Sequence, residues 1–156
     1  MNVKLRKYKK EDLSGHLELF LMNNIYNEID EKIKKQERDW LNKVIENYKK
    51  ENPEFFVMAI ILDEKLIGNL VIEKIDYKNR VADIGFWIGK KYWNKGVATE
   101  GLDIFLDRIA KKFKFKKIFA NCGIKNIASG KVLEKAGFSF KYEKEGKRFY
   151  NKIFDI

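Results

Sequence analysis

The amino-acid sequence predicts an α/β (α+β) sandwich, a mixed and mostly antiparallel sheet flanked by helices in the order β-α-α-β-β-β-α-β-α-β-β. Three observations carry this expectation. Apolar residues switch along the chain between a period of two and a period near 3.6. Three strand patterns follow one another in the middle of the chain, the first two joined by a turn too short for anything but an antiparallel hairpin. A glycine-bearing loop then leads from the third strand into a long amphipathic helix. A chain of 156 residues that is 45% hydrophobic can build one sizeable core. Pro53 is the only proline and no segment is Gly/Ser-rich, so residues 1–156 are expected to form a single domain.

The elements follow from the local pattern. Val3 to Tyr8 alternates apolar and basic residues as a strand does, and Leu13, Leu17, Phe20 and Leu21 then recur at helical spacing. After a polar stretch, Ile33, Trp40, Leu41, Val44, Ile45 and Tyr48 form the stripe of a second helix, which must stop before Pro53. Phe55 to Leu62 and Leu66 to Ile75 flank the turn at Asp63, Glu64 and Lys65, and Val81 to Ile88 continues the meander. Ala98, Leu102, Phe105, Leu106, Ile109 and Phe113 mark a helix from Val97 to Phe113. Lys116 to Cys122 reads as a strand, Ile127 to Ala136 as a short helix, and Phe138 to Tyr142 with Phe149 to Phe154 as a final strand pair.

Composition excludes several chemistries. Cys122 and His16 are the only residues of their types, so there is no intrachain disulfide and no cysteine/histidine zinc cage, and a metal-independent protein of a reducing, cytoplasmic compartment is expected. No stretch approaches the roughly 20 apolar residues of a membrane span, and no apolar block follows the N-terminal charges as in an export signal. The net charge of +10 raises the question of nucleic acid. The excess consists of 28 lysines against 5 arginines spread over the whole chain, a pattern of solvated faces more than of a phosphate-reading patch. The positive field still favours a polyanionic small ligand.

Two stretches carry chemistry. In Tyr92-Trp93-Asn94-Lys95-Gly96-Val97-Ala98-Thr99-Glu100, a strand gives way to a helix whose first N–H groups and partial positive charge suit a phosphate. Gly96 allows a tight turn and close approach, and Lys95 adds a cation. A plain turn, with Trp93 as a core anchor, accounts for the same residues. In Asn126-Ile127-Ala128-Ser129-Gly130, Asn126 suits a helix cap, Gly137 suits the helix end, and Ser129 lies in the first turn, where a hydroxyl caps or binds a ligand.

Together these stretches resemble the GNAT superfamily of acetyl-CoA-dependent N-acetyltransferases, in particular its RimJ/RimL-like branch acting on ribosomal-protein N-termini. The resemblance runs from Val3 to about Phe154. The family's Gln/Arg-x-x-Gly-x-Gly/Ala loop is matched at Gly96 and Ala98, with Trp93 in place of the first residue. The resemblance implies that backbone N–H groups of Asn94, Lys95, Gly96, Val97, Ala98 and Thr99 hold the coenzyme A pyrophosphate. It further implies that Trp87, Ile88 and Gly89 pair with the pantetheine arm, and that Asn126 and Ser129 contact the cofactor near the thioester. Many relatives carry a tyrosine seven residues after the asparagine to protonate the leaving thiolate. Leu133 stands there, so that acid is absent and Ser129 is the remaining candidate near the sulfur. The resemblance also implies homodimers, as in many relatives.

Asp83 stands where the family often places a general base. Strand alternation sets Asp83, Gly85 and Trp87 on one face, and a base acting through water and a solvated sheet-edge charge are both compatible with that. Glu28, Asp30 and Glu31 fall in the segment that lies over the acceptor in relatives and are the expected amine attractors, although Asp30 also suits a helix cap. A lysine ε-amine, pKa about 10.4, is neutral in only about one molecule in 10³ at pH 7, against about one in ten for an α-amine near 8. A protein or peptide N-terminus or a small amine of low pKa is therefore the expected acceptor. A polyamine or amine antibiotic, or a non-catalytic acetyl-CoA-binding module, are the alternatives.

Overall fold

The computed structural model describes residues 1–155. It contains β1 (Val3–Arg6), α1 (Leu13–Met22), α2 (Glu31–Asn47), β2 (Phe56–Leu62), β3 (Lys65–Asp76), β4 (Val81–Ile88), α3 (Val97–Phe113), β5 (Lys117–Gly123), α4 (Ile127–Lys135), β6 (Ser139–Lys144) and β7 (Lys147–Ile153), with short 3-10 turns before α1 and before α3. This is the predicted order. The seven strands form one sheet in the order β1-β2-β3-β4-β5-β7-β6, antiparallel everywhere except between β4 and β5. Among the described residues no helix is long and apolar enough to cross a membrane.

Strand β2 shows how the layers arise. Its sequence FVMAIIL has no polar side chain because both of its faces are covered. Phe56, Met58 and Ile60 join the core under α3, where Leu102, Phe105 and Ile109 are fully buried. Val57, Ala59 and Ile61 face the other way and pack with Leu41 and Val44 of α2 and with Tyr8. Side chains of a strand alternate between faces, so one run of seven residues serves two cores. Helices α1 and α2 thus cover β2, β3 and the end of β4 on one side, while α3 and α4 cover the opposite side.

Asp30 caps α2, its Oδ1 accepting from the Ile33 N–H at 2.8 Å. Helix α3 starts differently. Gly96 precedes it with φ of 78°, a left-handed conformation that suits glycine, and no side chain caps the first turn. Its last turn runs into Lys114, also left-handed at φ 55°.

Strands β4 and β5 pair over three residues only, Val81 to Asp83 against Lys117 to Phe119. Beyond that point they separate while β4 stays on β3 as far as Gly68 and Ile88. The approach of these two strands is close: a Cβ on Gly68 would lie 2.2 Å from the Trp87 carbonyl oxygen. The sheet therefore carries a wedge-shaped gap between the C-terminal halves of β4 and β5.

Candidate functional site

The gap opens into a cavity of about 830 Å³, within the size range of small-ligand sites. Its walls are the end of β4, the loop from Tyr92 to Thr99 and the exposed flank of α4. A smaller recess of about 180 Å³ runs between the separating strands and is lined by Gly85, Asn121, Asn126 and Ser129 among others. Asn126 and Ser129 line both spaces, so the two brought together by sequence spacing meet at the junction.

The loop is shaped by two left-handed residues, Asn94 at φ 58° and Gly96 at φ 78°. Asparagine tolerates that region and glycine prefers it. The turn brings the first helical residues, Val97, Ala98 and Thr99, to the cavity wall with no capping side chain over them. Unpaired N–H groups and the helix dipole make such an end favourable for an anion. Lys95, Lys125, Lys131 and Lys135 line the same cavity, and no aspartate or glutamate does. The cavity is built for a polyanion. The lysines of α4 escaped the sequence reading, since a helix flank shows which residues share a side but not what that side faces.

Trp93 differs from the core anchor that its size suggests. It is 52% exposed and donates its indole N–H to the Ile88 carbonyl at 2.9 Å. The same carbonyl accepts from Asn23 Nδ2 at 3.0 Å, while Asn23 Oδ1 accepts from the Lys90 N–H. The end of β4 is thereby fixed from two sides.

These bonds alter which backbone groups face the gap. Trp87 and Ile88 line the cavity, but Gly89 does not, and its N–H donates to the Ile67 carbonyl at 2.8 Å on the β3 side. Amides alternate along a strand, so the N–H and C=O of Ile84 and Phe86 point the opposite way, into the gap that β5 has left. Phe86, which the sequence reading passed over, lines the cavity where Gly89 does not.

Asn126 is the cap of α4, its Oδ1 accepting from the Ser129 N–H at 3.1 Å. This leaves the Ser129 side chain, half-buried, at the junction. Leu133, at the position of the missing tyrosine, is 1% exposed and belongs to the core. Cys122 lines the small recess, and burial pushes its thiol pKa up.

The remaining predicted residues lie elsewhere. Asp83 sits two residues before Gly85 on the α1/α2 side of the sheet, partly exposed, with Lys74 Nζ at 3.7 Å, and it lines neither space. Glu28 and Glu31 are exposed and Asp30 serves as the α2 cap, so none of the three is part of the cavity. An aromatic cluster stands behind Trp87 instead: Phe20 lies 5.0 Å from it, and His16 is stacked on Trp40 at 4.6 Å. His16 Nε2 is 3.0 Å from Glu37 Oε1, its Nδ1 is buried without a partner, and burial lowers its pKa against the pull of Glu37.

The family described as "Acetyltransferase (GNAT) domain" matches residues 2–139. The ribosomal-protein-serine acetyltransferase of Escherichia coli (strain K12) is 23% identical over 99 residues, which is 64% of this chain and 55% of that enzyme, less than two thirds of its length. Among solved structures, a RimL ribosomal L7/L12 alpha-N-protein acetyltransferase in complex with coenzyme A superposes with a TM-score of 0.84 at 18% identity, covering 99% of this chain and 96% of that one. The microcin C7 self-immunity acetyltransferase MccE, in complex with acetyl-CoA and AMP, gives 0.80 at 15% identity over 97% and 92%. At these identities the superpositions establish the fold.

Proposed function

The chain belongs to the GNAT acetyltransferase family, and from that premise we propose that it transfers the acetyl group of acetyl-CoA to a primary amine by direct attack on the thioester. The observation that carries the proposal is the cavity: an uncapped helix end and four lysines, with no carboxylate, opening into a gap between two strands. The chemistry of those residues fits a coenzyme with a phosphate-rich head and a long amide-bearing arm.

In this reading the N–H groups of Val97, Ala98 and Thr99 hold the pyrophosphate, and Asn94, Lys95 and Gly96 shape and charge the loop. The arm lies along Phe86, Trp87 and Ile88 as a short added strand, which brings the thioester to the junction at Asn126 and Ser129. The amine must lose a proton as the C–N bond forms, and the thiolate must gain one as the C–S bond breaks. Ser129 relays the second proton, its hydroxyl giving one to the thiolate and regaining one from water. Asp83 accepts the first through water, since its carboxylate lies on the same sheet face as Gly85 but outside the junction.

The acceptor proposed is a peptide or protein α-amine, which is neutral often enough at pH 7 for a weak, water-mediated base to suffice. A polycation would call for several carboxylates around the site, and Glu28, Asp30 and Glu31 lie outside the lining of the cavity. A ribosomal-protein acceptor, as named for the Escherichia coli relative, would place the chain in the cytoplasm.

The test is thiol release from acetyl-CoA with a panel of α-amine peptides and spermidine, alongside titration of coenzyme A into the wild type and Gly96→Glu. Gly96 is left-handed and next to the anion site, so the substitution adds backbone strain of about 1–2 kcal/mol and a negative charge. Loss of coenzyme binding with an unchanged far-ultraviolet spectrum is expected. Normal binding by the variant would remove the loop from the proposal, and binding without turnover on any acceptor would make the protein a non-catalytic module.

A further inference from the structure

The half-sheet β5-β7-β6 is covered on one side only. The register places Phe119 opposite Asn151, Asn121 opposite Phe149, and Tyr142 opposite Phe149 on the side away from α3 and α4. Helices α1 and α2, on that side, pack on β2 and β3 and do not reach β5, β7 and β6. As a result Phe119 is 39% exposed, Tyr142 53% and Ile153 67%, with Tyr142 stacked on Phe149 at 4.8 Å. Clustered aromatic exposure of this kind marks a binding surface more often than a solvated one.

Charge decides what the surface fits. Lys117, Lys144 and Lys147 frame the apolar patch on the same face, and none of the residues that β5, β6 and β7 present there is acidic. A second copy would bring lysines against lysines on chains that each carry +10, across far fewer residues than the roughly 20–30 a side of a stable interface. An acidic peptide with apolar side chains meets no such conflict.

The face is continuous with the site. Asn121 lines the recess between β4 and β5 and also belongs to this face. At the opposite border Asp83 and Glu73 pair across β4 and β3, while at the lysine end the one nearby carboxylate in the β6–β7 turn, Glu145, stands between Lys144 and Lys147 and leaves the turn net positive. From β4 to β6 is three strand spacings, about 14 Å, a distance spanned by about four extended residues.

We propose that this uncovered face docks the residues that follow the acetylated α-amine, selecting acceptors whose second to fifth positions combine apolar and acidic side chains. The proposal rests on the α-amine reading above. It orients the acceptor: the amine enters at the gap beside Gly85 and Ser129, toward the carboxylates of β4 and β3, and the acidic positions run outward to the lysines of β6 and β7.

The experiment compares an amidated dipeptide with an amidated pentapeptide of the same first two residues that carries leucine at position four and glutamate at positions three and five. Acetylation by wild type and by Lys144→Glu/Lys147→Glu is measured as kcat/KM. Anisotropy of the same pentapeptide labelled at its C-terminus, with coenzyme A present, reads binding without turnover. The wild type should prefer the pentapeptide and bind it. The double variant should lose about tenfold in pentapeptide kcat/KM and affinity while its dipeptide rate stays unchanged. Equal loss on both peptides, no pentapeptide preference in wild type, or dimers that Ile153→Lys dissociates would each overturn the proposal. Pentapeptide binding that the variant weakens, without acetylation of any peptide, would sink the catalytic reading and leave the docking face standing.

Discussion

At the scale of single residues, His16 joins stability to the site. It lies between Trp40 and Phe20 and reaches Trp87, the cavity residue, at a ring distance of 6.4 Å. Burial holds its pKa below the usual imidazole value even with Glu37 beside it, so the folded protein carries it neutral where the unfolded chain would be protonated. The unfolded state then binds more protons at low pH, and stability present above about pH 6.5 is lost as pH falls below that value. Asp12 works in a separate window: despite its own desolvation, Arg6 and the Lys9 N–H keep its carboxyl below the usual range, and its contribution is lost only in stronger acid. The melting temperature should therefore decline between about pH 7 and 5, and His16→Gln, less stable overall, should be flat across that interval. As the only histidine, His16 gives a single imidazole resonance. A midpoint above 6.5 in the folded protein would reverse the sign of the argument.

Among the elements, β4 does the most to define the site, and its end depends on its neighbour. Gly68 leaves 2.2 Å to the Trp87 oxygen and 2.9 Å to the Ile88 Cα, both backbone atoms that no rotamer change can move. Gly68→Ala should cost about 1–3 kcal/mol as an overpacked site, lower the melting temperature by about 2–4 °C per kcal/mol, and weaken coenzyme A binding because β4 must shift. Gly123→Ala, with nothing within 4 Å, is the control and should change neither quantity. Thermal unfolding and titration calorimetry on the pair decide it, and a Gly68 variant as tight-binding as the control would show that the position of β4 is not what fixes affinity. The bounds of β4 and α3 were legible in the sequence because hydrophobic alternation and helical spacing are local properties of Val81 to Ile88 and Val97 to Phe113. The loop at Gly96 was legible for the same reason. The separation of β5 after Phe119, the place of Phe86 and not Gly89 in the cavity wall, and the turn of Lys131 and Lys135 into the cavity depend on pairings between distant segments, which periodicity does not encode. The pairing of His16 with Glu37, 21 residues apart, is hidden in the same way.

For the whole molecule, the issue is whether the net charge of +10 acts through a general field or through particular lysines. Lysines occur along the entire chain, but four of them line the large cavity and three frame the uncovered sheet face, so the excess is general in sequence and local in space. Screening separates the two contributions. The Debye length is about 10 Å at 0.1 M salt and about 3 Å at 1 M, so distant charges cease to act as salt rises while contact pairs persist longer. Coenzyme A affinity should fall by roughly tenfold or more between about 0.05 and 0.5 M NaCl, as for a polyanion held by several cations. In Lys131→Ala/Lys135→Ala the same titration should start weaker and have a shallower slope, because two of the cations responsible are gone. In Lys4→Ala/Lys49→Ala, exposed positions outside the cavity, it should follow the wild type at high salt and fall only slightly below it at low salt. Isothermal titration of all three proteins at several salt concentrations measures both slopes. If the two double variants lost affinity equally at low salt, the field as a whole would be the attractor and the cavity lysines would have no special part in it.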